Sequence, residues 1–271
     1  MPPPQPKRQG LLQLAKSAQL YWFLGHAFAI LFTALTFATS FFRSPFSDTP
    51  LGFYKNALNA IIITYVIVLR QVHKGKPVTM IISQLRSLLK ESNVQYLLLA
   101  LVFRLTATDP GPVFGGLYPF TIYSLFHFLN YLDTTLLATL PVSNADQVRN
   151  LIRMFVSSYN EKSMYLAASC ELFLVPSLLL SSLKSIILLE WYRAPFSFIR
   201  QLIVVFSVIS FLRLRYQQNV YMKQLVDSYD LKISQLLYHP QLPQGFRLGY
   251  LRFKSLLTST LGYLELEKKT R

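Results

Sequence analysis

The stretch MYLAASCELFLVPSLLLSSL, residues 164–183, is almost wholly apolar and yet carries one carboxylate, that of Glu171. A helix on the surface of a soluble protein keeps a polar face toward water, but this stretch stays apolar for about 20 residues, the length that crosses a bilayer. We therefore interpret residues 164–189 as a membrane span. The rest of the chain repeats the pattern, with long apolar blocks separated by short charged stretches.

The composition agrees with a membrane location, because the chain is short of charged surface. Of its 271 residues, 52% are hydrophobic and 14% are charged, whereas a soluble domain usually has about 25% charged residues. We predict an all-α, polytopic helical membrane protein with about six membrane-embedded helices plus cytosolic or interfacial amphipathic helices. In chain order the sequence first predicts a disordered, basic, proline-rich tail over 1–19. A membrane domain follows over 20–212, with an interfacial helix over 78–90 and spans at about 20–42, 51–69, 94–108, 117–140, 164–189 and 196–212. The last part is a cytosolic tail over 213–271 with helices over 213–238 and 246–264.

The charge distribution predicts the orientation. The net charge is +15, and most of the 27 lysines and arginines fall on one side of the membrane if both ends of the chain are cytosolic. Such residues concentrate in cytosolic loops and near anionic lipid headgroups. We therefore expect cytosolic termini and contact with anionic headgroups of the bilayer. No nucleic-acid-binding signature accompanies the basic residues, so we predict no nucleic-acid partner, and the sequence leaves the oligomeric state open.

No motif in the sequence indicates catalysis. The single cysteine, Cys170, allows neither an internal disulfide nor a cysteine-rich metal site. The metalloprotease, serine-hydrolase and phosphate-loop motifs do not occur, and neither does a clustered acidic metal site. We therefore predict a non-enzymatic protein with no catalytic, cofactor-binding or metal-binding residues.

Glu171 has two interpretations, because an ionisable side chain inside a span is costly to bury and is a functional candidate by default. It could line a polar path with Lys184 and Arg200 in a small transporter or channel. It could instead tie helices together by bonding to a hydroxyl group or to His127, Arg200 or Arg213. We favour the structural tie, because no second acidic residue lies one or two turns away on the same helix.

The C-terminal helix predicted over 246–264 has one aromatic-rich stripe. The stripe consists of Phe246, Tyr250, Phe253, Leu257, Leu261 and Leu264, with Arg247 and Lys254 beside it. Such a helix suits the headgroup plane of an anionic membrane. Alternatively it packs on the cytosolic face of the protein itself, which the apolar residues off the stripe, Leu248, Leu251 and Tyr263, would favour. Farther on, Lys268 and Lys269 stand where a dilysine retrieval signal of endoplasmic reticulum proteins stands.

Six blocks of sequence, in order, carry a family resemblance. They are AQLYWFLGH (18–26), GFYKNALNA (52–60), YLLLALVF (96–103), YPFTIYSLFHF (118–128), CELFLVPS (170–177) and LRLRYQQNVYMKQLVDS (212–228). The chain resembles the transmembrane protein 33 family, especially its fungal branch of pore-membrane proteins. The resemblance carries over a set of intramembrane polar or structural positions: Glu171 and Pro176 in the fifth span, His127 in the fourth, and Arg213, Arg215 and Tyr216 after the sixth.

The resemblance also implies a function. Members of the family belong to the endoplasmic reticulum and nuclear envelope, associate with reticulon-type membrane-shaping proteins and, in fungi, with nuclear pore complexes. We therefore expect a protein that organises or stabilises curved membrane and contributes to the distribution or assembly of nuclear pores. The alternative from a different class remains the small intramembrane transporter or channel that uses Glu171.

Overall fold

The computed structural model describes residues 16–75, 85–113, 115–139, 144–239 and 242–260, and all regular structure in these ranges is helical. The chain is therefore all-α, as predicted. The main helices are α1 (Ala18–Ser40), α2 (Asp48–Val72), α3 (Ser92–Thr106), α4 (Tyr118–Tyr131), α5 (Ala145–Ile187), α6 (Pro195–Gln218), α7 (Val220–Leu237) and α8 (Gln244–Thr260). Short helical segments cover Leu85–Leu88, Leu132–Leu136 (a π-helix), Leu137–Thr139 and Glu190–Arg193.

Four of the described helices, α1, α2, α5 and α6, are long and apolar enough to cross a membrane. The other two predicted spans coincide with α3 and α4, which have 15 and 14 residues. Helix α3 reaches about 22 Å, less than the ~30 Å hydrocarbon thickness of a bilayer. Helix α4 continues without a break through Leu132–Leu136 and Leu137–Thr139, so this helical run over 118–139 reaches ~30 Å. The polytopic helical membrane fold is thus confirmed, while full crossing by α3 and α4 stays a prediction.

Helix α5 begins well before residue 164, where the apolar stretch that predicts it begins. It runs for 43 residues, which corresponds to about 65 Å. Its first part, residues 145–163, carries charged side chains such as Arg149, Arg153 and Lys162. Because charged side chains are costly in hydrocarbon, we expect only the later part of α5 to lie in the membrane and the earlier part to project from it.

The chain from 213 to 238, for which the sequence predicts one helix, is divided at Asn219. This residue is extended, with φ −108° and ψ 118°, and its side chain accepts a hydrogen bond from the Met222 backbone nitrogen at 3.0 Å. Asparagine in this geometry caps a new helix. The cap ends α6 and begins α7.

Helices α1 through α7 all contribute to the main core of the described residues, beside a smaller cluster around Phe23 and Tyr131. Its fully buried members include Ala29, Leu58, Phe103, Phe120, Leu174, Val208 and Met222. The outer faces of α5 and α6 are apolar as well and largely exposed, for example at Leu180, Ile187 and Phe206. Exposed apolar helix faces of this extent are what a lipid-facing surface requires.

Two polar contacts hold the C-terminal end of α3 and the turn after it. Arg104 donates from Nε to Asn59 Oδ1 of α2 at 2.8 Å, and Arg200 of α6 forms an ion pair with Asp109, in the turn after α3. This turn therefore lies beside the beginning of α6.

Some predicted elements lie partly or wholly outside the described ranges. The predicted tail over 1–19 is described only from residue 16, and α1 begins at Ala18. Of the interfacial helix predicted over 78–90, the structure describes 85–90, where Leu85–Leu88 is helical.

Candidate functional site

Four helices converge on the carboxylate of Glu171, which has 0% of its surface exposed. Tyr96 of α3 donates its hydroxyl to Oε1, and Tyr123 of α4 donates to the same oxygen at 3.3 Å. Arg215 of α6 donates from Nε to Oε2 at 3.4 Å. We call Tyr96, Tyr123, Glu171 and Arg215 the Glu171 cluster.

The cluster is closed by further contacts among its members. Arg215 also donates from Nη2 to the Tyr123 hydroxyl at 3.3 Å, and its guanidinium lies 5.2 Å from the ring centroid of Tyr96. Tyr65 of α2 stacks on Tyr96 with the ring centroids 5.8 Å apart. A buried carboxylate is tolerated when it is both paired and hydrogen-bonded. Here both conditions hold, so the arrangement suits a tie between helices.

The structure decides which of the expected partners reaches Glu171. It pairs the carboxylate with hydroxyl groups and with Arg215, whereas Arg200 bonds to Asp109. Tyr96 and Tyr123 are site residues that the sequence reasoning missed. Both stand in the blocks that carry the family resemblance, and a tyrosine in the middle of an apolar helix is the signal that could have singled them out, because its hydroxyl needs a partner.

The other intramembrane positions carried over by the resemblance lie apart from one another. Pro176 is inside α5, which continues through it. His127 belongs to an aromatic group at one end of α1 and α4, 5.2 Å from Trp22 and 5.0 Å from His26 between ring centroids. Tyr216 donates to Asp227 of α7 at 2.9 Å, and Arg213 is half-buried near the end of α6.

A second charged group, which the sequence analysis did not predict, joins α4 to α5. Asp133 lies in the π-helix after α4 and accepts from Arg149 Nε at 3.1 Å and from Arg153 Nε at 2.9 Å. The two arginines are four residues apart and so project from the same face of α5. This contact holds the projecting part of α5 against the end of α4.

The C-terminal helix α8 is held to α7 by its polar groups. Asp230 of α7 accepts from the Tyr250 hydroxyl at 2.6 Å and from Lys254 Nζ at 2.7 Å, and the Arg247 guanidinium lies 4.0 Å from the ring centroid of Tyr238. The hydrogen bonds from Lys254 and Tyr250 lower the pKa of Asp230. Burial and the Asp230 carboxylate raise the pKa of Tyr250 to about 12.

The same helix leaves apolar side chains uncovered. Phe246, Leu248 and Leu251 are exposed by 63%, 55% and 48%. The other predicted members of the membrane-binding helix and the retrieval signal are not placed: the side chains of Phe253 and Leu257, and the whole of Leu261, Lys268 and Lys269, lie outside what the structure describes.

A bundle of apolar helices with lipid-facing flanks and a buried ionic tie defines the class of the protein, a polytopic helical membrane protein. The chain belongs to the family described as transmembrane protein 33/nucleoporin POM33, whose sequence model matches residues 3–261. The family predicted from the sequence blocks is therefore confirmed.

Curated relatives extend over most of the chain. It is 31% identical to the "Pore and endoplasmic reticulum protein of 33 kDa" of Saccharomyces cerevisiae over 88% of this chain and 89% of that protein. It is 26% identical to the "Pore membrane protein of 33 kDa" of the same yeast over 94% and 90%. It is 25% identical to "Tetra-spanning protein 1" of Schizosaccharomyces pombe over 94% and 88%. No solved structure matches the chain.

Proposed function

We propose that this chain is a non-enzymatic membrane protein of the endoplasmic reticulum and nuclear envelope, with both termini cytosolic. It organises or stabilises curved membrane and contributes to the distribution or assembly of nuclear pore complexes together with reticulon-type partners. Family membership and the names of the pore and endoplasmic reticulum relatives support this proposal.

The observation that carries the curvature role is the arrangement of α8. Phe246 of the predicted stripe is exposed, and so are Leu248 and Leu251, which lie off the stripe. Tyr250 of the stripe bonds to α7, and the helix also bears Arg247 and Arg252. Basic helices with uncovered apolar side chains insert shallowly into an anionic leaflet. Insertion from one side adds area to one leaflet only, which favours bending. Asp230 attaches this helix to α7, which packs against α5 and α6.

Truncation tests the role of α8 in the full chain. We expect that removing residues 246–264 lowers the enrichment of a fluorescently tagged protein at tubular and pore membrane, while the thermal unfolding of the membrane domain stays unchanged. A sharper variant replaces Phe246, Leu248 and Leu251 by serine. Its matched control replaces Leu231 and Leu236, which are similarly exposed on α7. Unchanged enrichment in the truncated protein would contradict the curvature role.

The reticulon-type partners and the retrieval signal have separate tests. Affinity capture of the tagged chain in mild detergent is expected to recover reticulon-type and pore proteins, and recovery of neither would remove that part of the proposal. Replacing Lys268 and Lys269 by alanine is expected to let the protein leave the endoplasmic reticulum. Retention of this variant would show that the two lysines are not a retrieval signal.

The alternative, a transporter or channel that uses Glu171, makes an opposite prediction. The carboxylate is fully buried and bonded to Tyr96, Tyr123 and Arg215, which supports the structural tie. We expect proteoliposomes containing Glu171→Gln to show the same ion flux as those containing the unaltered protein. Loss of a measurable flux, with the variant still assembled, would favour transport.

A further inference from the structure

A cleft of about 620 Å³ opens between the end of α2 and the start of α3. Its volume falls in the ~300–1,000 Å³ range of small-ligand sites. Part of the lining is apolar and consists of Val66, Leu69, Leu88 and Val94. The remainder consists of Arg70, His73, Lys74 and Gly75, and the side chains of Arg70 and Lys74 are exposed. The cleft is thus amphipathic.

The positive charges of the cleft are available to a ligand. Within the described parts of the chain, neither Arg70 nor Lys74 forms an ion pair. His73 lies between them in sequence and bonds from Nε2 to Glu91 Oε2 at 3.2 Å. Glu91, the acidic residue just before α3, is therefore already engaged. Two cations without a protein counter-charge attract an anion, and phosphate oxygens accept hydrogen bonds from both side-chain types.

The cleft lies at the basic end of the helix bundle. Gln218 at the end of α6 donates from Nε2 to the backbone oxygen of Lys90 at 2.9 Å, which brings the ends of α2 and α6 together around the start of α3. By the distribution of lysines and arginines, this end is the one that faces the cytosolic leaflet. That leaflet contains the anionic phospholipids, which basic pockets between membrane helices bind.

We propose that this cleft binds an anionic phospholipid, with its phosphate at Arg70 and Lys74 and an acyl chain along Val66, Leu69 and Val94. A soluble phosphate would leave the apolar lining uncovered, and a neutral apolar molecule would leave the two cations without counter-charge. A phospholipid satisfies both halves of the cleft at once. The choice of an anionic phospholipid rests on the cytosolic orientation proposed above, but not on the contact between α8 and the membrane or on the pore function.

The charge arm of the test uses full-length protein in detergent and measures bound phosphatidic acid by native mass spectrometry, with phosphatidylcholine as the neutral comparison. We expect the double variant Arg70→Gln, Lys74→Gln to bind phosphatidic acid roughly ten- to thirtyfold more weakly, at about 1 kcal/mol per basic residue. The charge-matched control is Lys223→Gln, Lys232→Gln on α7, which should bind it like the unaltered protein. Equal loss in both double variants would show general charge attraction and overturn the site.

The apolar arm separates a lipid from other occupants. Val66 is 49% exposed, so Val66→Trp fills the cleft without disturbing the core. It should release phosphatidic acid, and inorganic phosphate should not displace the lipid from the unaltered protein. Displacement by inorganic phosphate would assign the site to a soluble anion. A photocrosslinker at position 66 that captures residues 76–84 of the same chain, or a second copy, instead of lipid would equally overturn the proposal.

Discussion

At residue scale, the burial of Glu171 makes its partner Arg215 necessary. Both side chains are removed from solvent, with exposed fractions of 0% and 7%, so neither charge has water to stabilise it. The pair adds little net stability when intact, because desolvation offsets the attraction, but the loss of one member leaves the other charge unmatched. We therefore expect the protein to tolerate the replacement of Glu171 or Arg215 alone less well than the replacement of both.

We predict that Glu171→Gln lowers the free energy of unfolding by about 3 kcal/mol. The double variant with Arg215→Gln should lose less than the sum of the two single changes, because it leaves no unmatched charge. Chemical unfolding in detergent measures the cycle. Arg200→Gln is the control on the same helix, since its pair with Asp109 is 51% and 39% exposed and should contribute less than about 1 kcal/mol. Additive single effects would mean that the pair is not coupled.

At the scale of elements, α1 and α2 approach closely because Gly25 has no side chain. A Cβ built at this position would overlap Thr64 Oγ1 of α2, and that hydroxyl donates to Ala60 O at 2.8 Å. Small residues in membrane helices permit such an approach, which increases packing between helices in lipid. The α1–α2 pair therefore depends on position 25.

We predict that Gly25→Ala destabilises the protein by about 1–3 kcal/mol, the usual cost of overpacking. Adding Thr64→Ala should restore much of the loss, since it removes the overlapping hydroxyl. Gly52→Ala in α2 is the matched control, because a Cβ there meets no atom within 4 Å, and it should be neutral or slightly stabilising. Thermal unfolding in detergent distinguishes these outcomes. A loss in Gly25→Ala no larger than in Gly52→Ala would contradict close packing.

The contact between α7 and α8 should depend on pH through Asp230. The folded-state pKa of Asp230 is lowered by Lys254 and Tyr250. The contact therefore contributes its full stability above the ordinary aspartate pKa of about 3.9, and it is lost as the pH falls through the lowered value. We expect a spin label at position 255, placed by Ser255→Cys in a Cys170→Ser background, to be restricted at neutral pH and to become mobile in acid.

In the same labelled protein, Asp230→Asn should give a mobile label already at neutral pH. Asp227→Asn removes the same charge from α7 but alters a contact with Tyr216, so it should leave the label restricted. Equal mobility in the two variants would argue that Asp230 does not hold α8.

Hydropathy predicts only those parts of the helices that lipid surrounds. The predicted spans over 20–42, 51–69 and 196–212 overlap most of α1, α2 and α6, because a continuous apolar run has few alternatives to a helix in a bilayer. The start of α5 could not be found this way, since residues 145–163 form a polar helix. The helical wheel of α8 finds its apolar stripe but counts Tyr250 as apolar, although its hydroxyl bonds to Asp230.

The partners of Glu171 could not be predicted from sequence patterns, for a different reason. Tyr96, Tyr123 and Arg215 are distant from it in the chain and lie on three other helices. Which helices become neighbours is set by packing of the whole bundle. The sequence could predict that a buried carboxylate needs a partner, but not which of several basic residues supplies it.

At the scale of the whole molecule, the location of the turn after α3 relative to the membrane distinguishes a chain with four complete crossings from one with six. The pair between Asp109 and Arg200 places this turn near the beginning of α6. If α3 and α4 both cross, Thr108 faces the lumen. If they enter and return, Thr108 lies within the membrane, because its turn stays beside the beginning of α6.

We predict that Thr108→Cys, in the Cys170→Ser background, reacts with a membrane-impermeant thiol reagent only after sealed vesicles are opened. Lys90→Cys, just before α3, should react without opening, because the basic end of the bundle is predicted to be cytosolic. Labelling is read as a mass shift on the intact protein. Reaction of position 108 in sealed vesicles would reverse its assignment, and no reaction after opening would place the turn inside the bilayer.

The length of α5 also has a mechanical consequence. The part that projects, residues 145–163, is about 28 Å long and continuous with the embedded part. Membrane helices adopt tilts between about 0 and 40°, and a change of roughly 10° would swing the projecting tip sideways by about 5 Å. Asp133 forms ion pairs with Arg149 and Arg153 near that tip. A change of tilt caused by the surrounding lipid would therefore load the contact between Asp133 and the two arginines, with the projecting part of α5 acting as a lever.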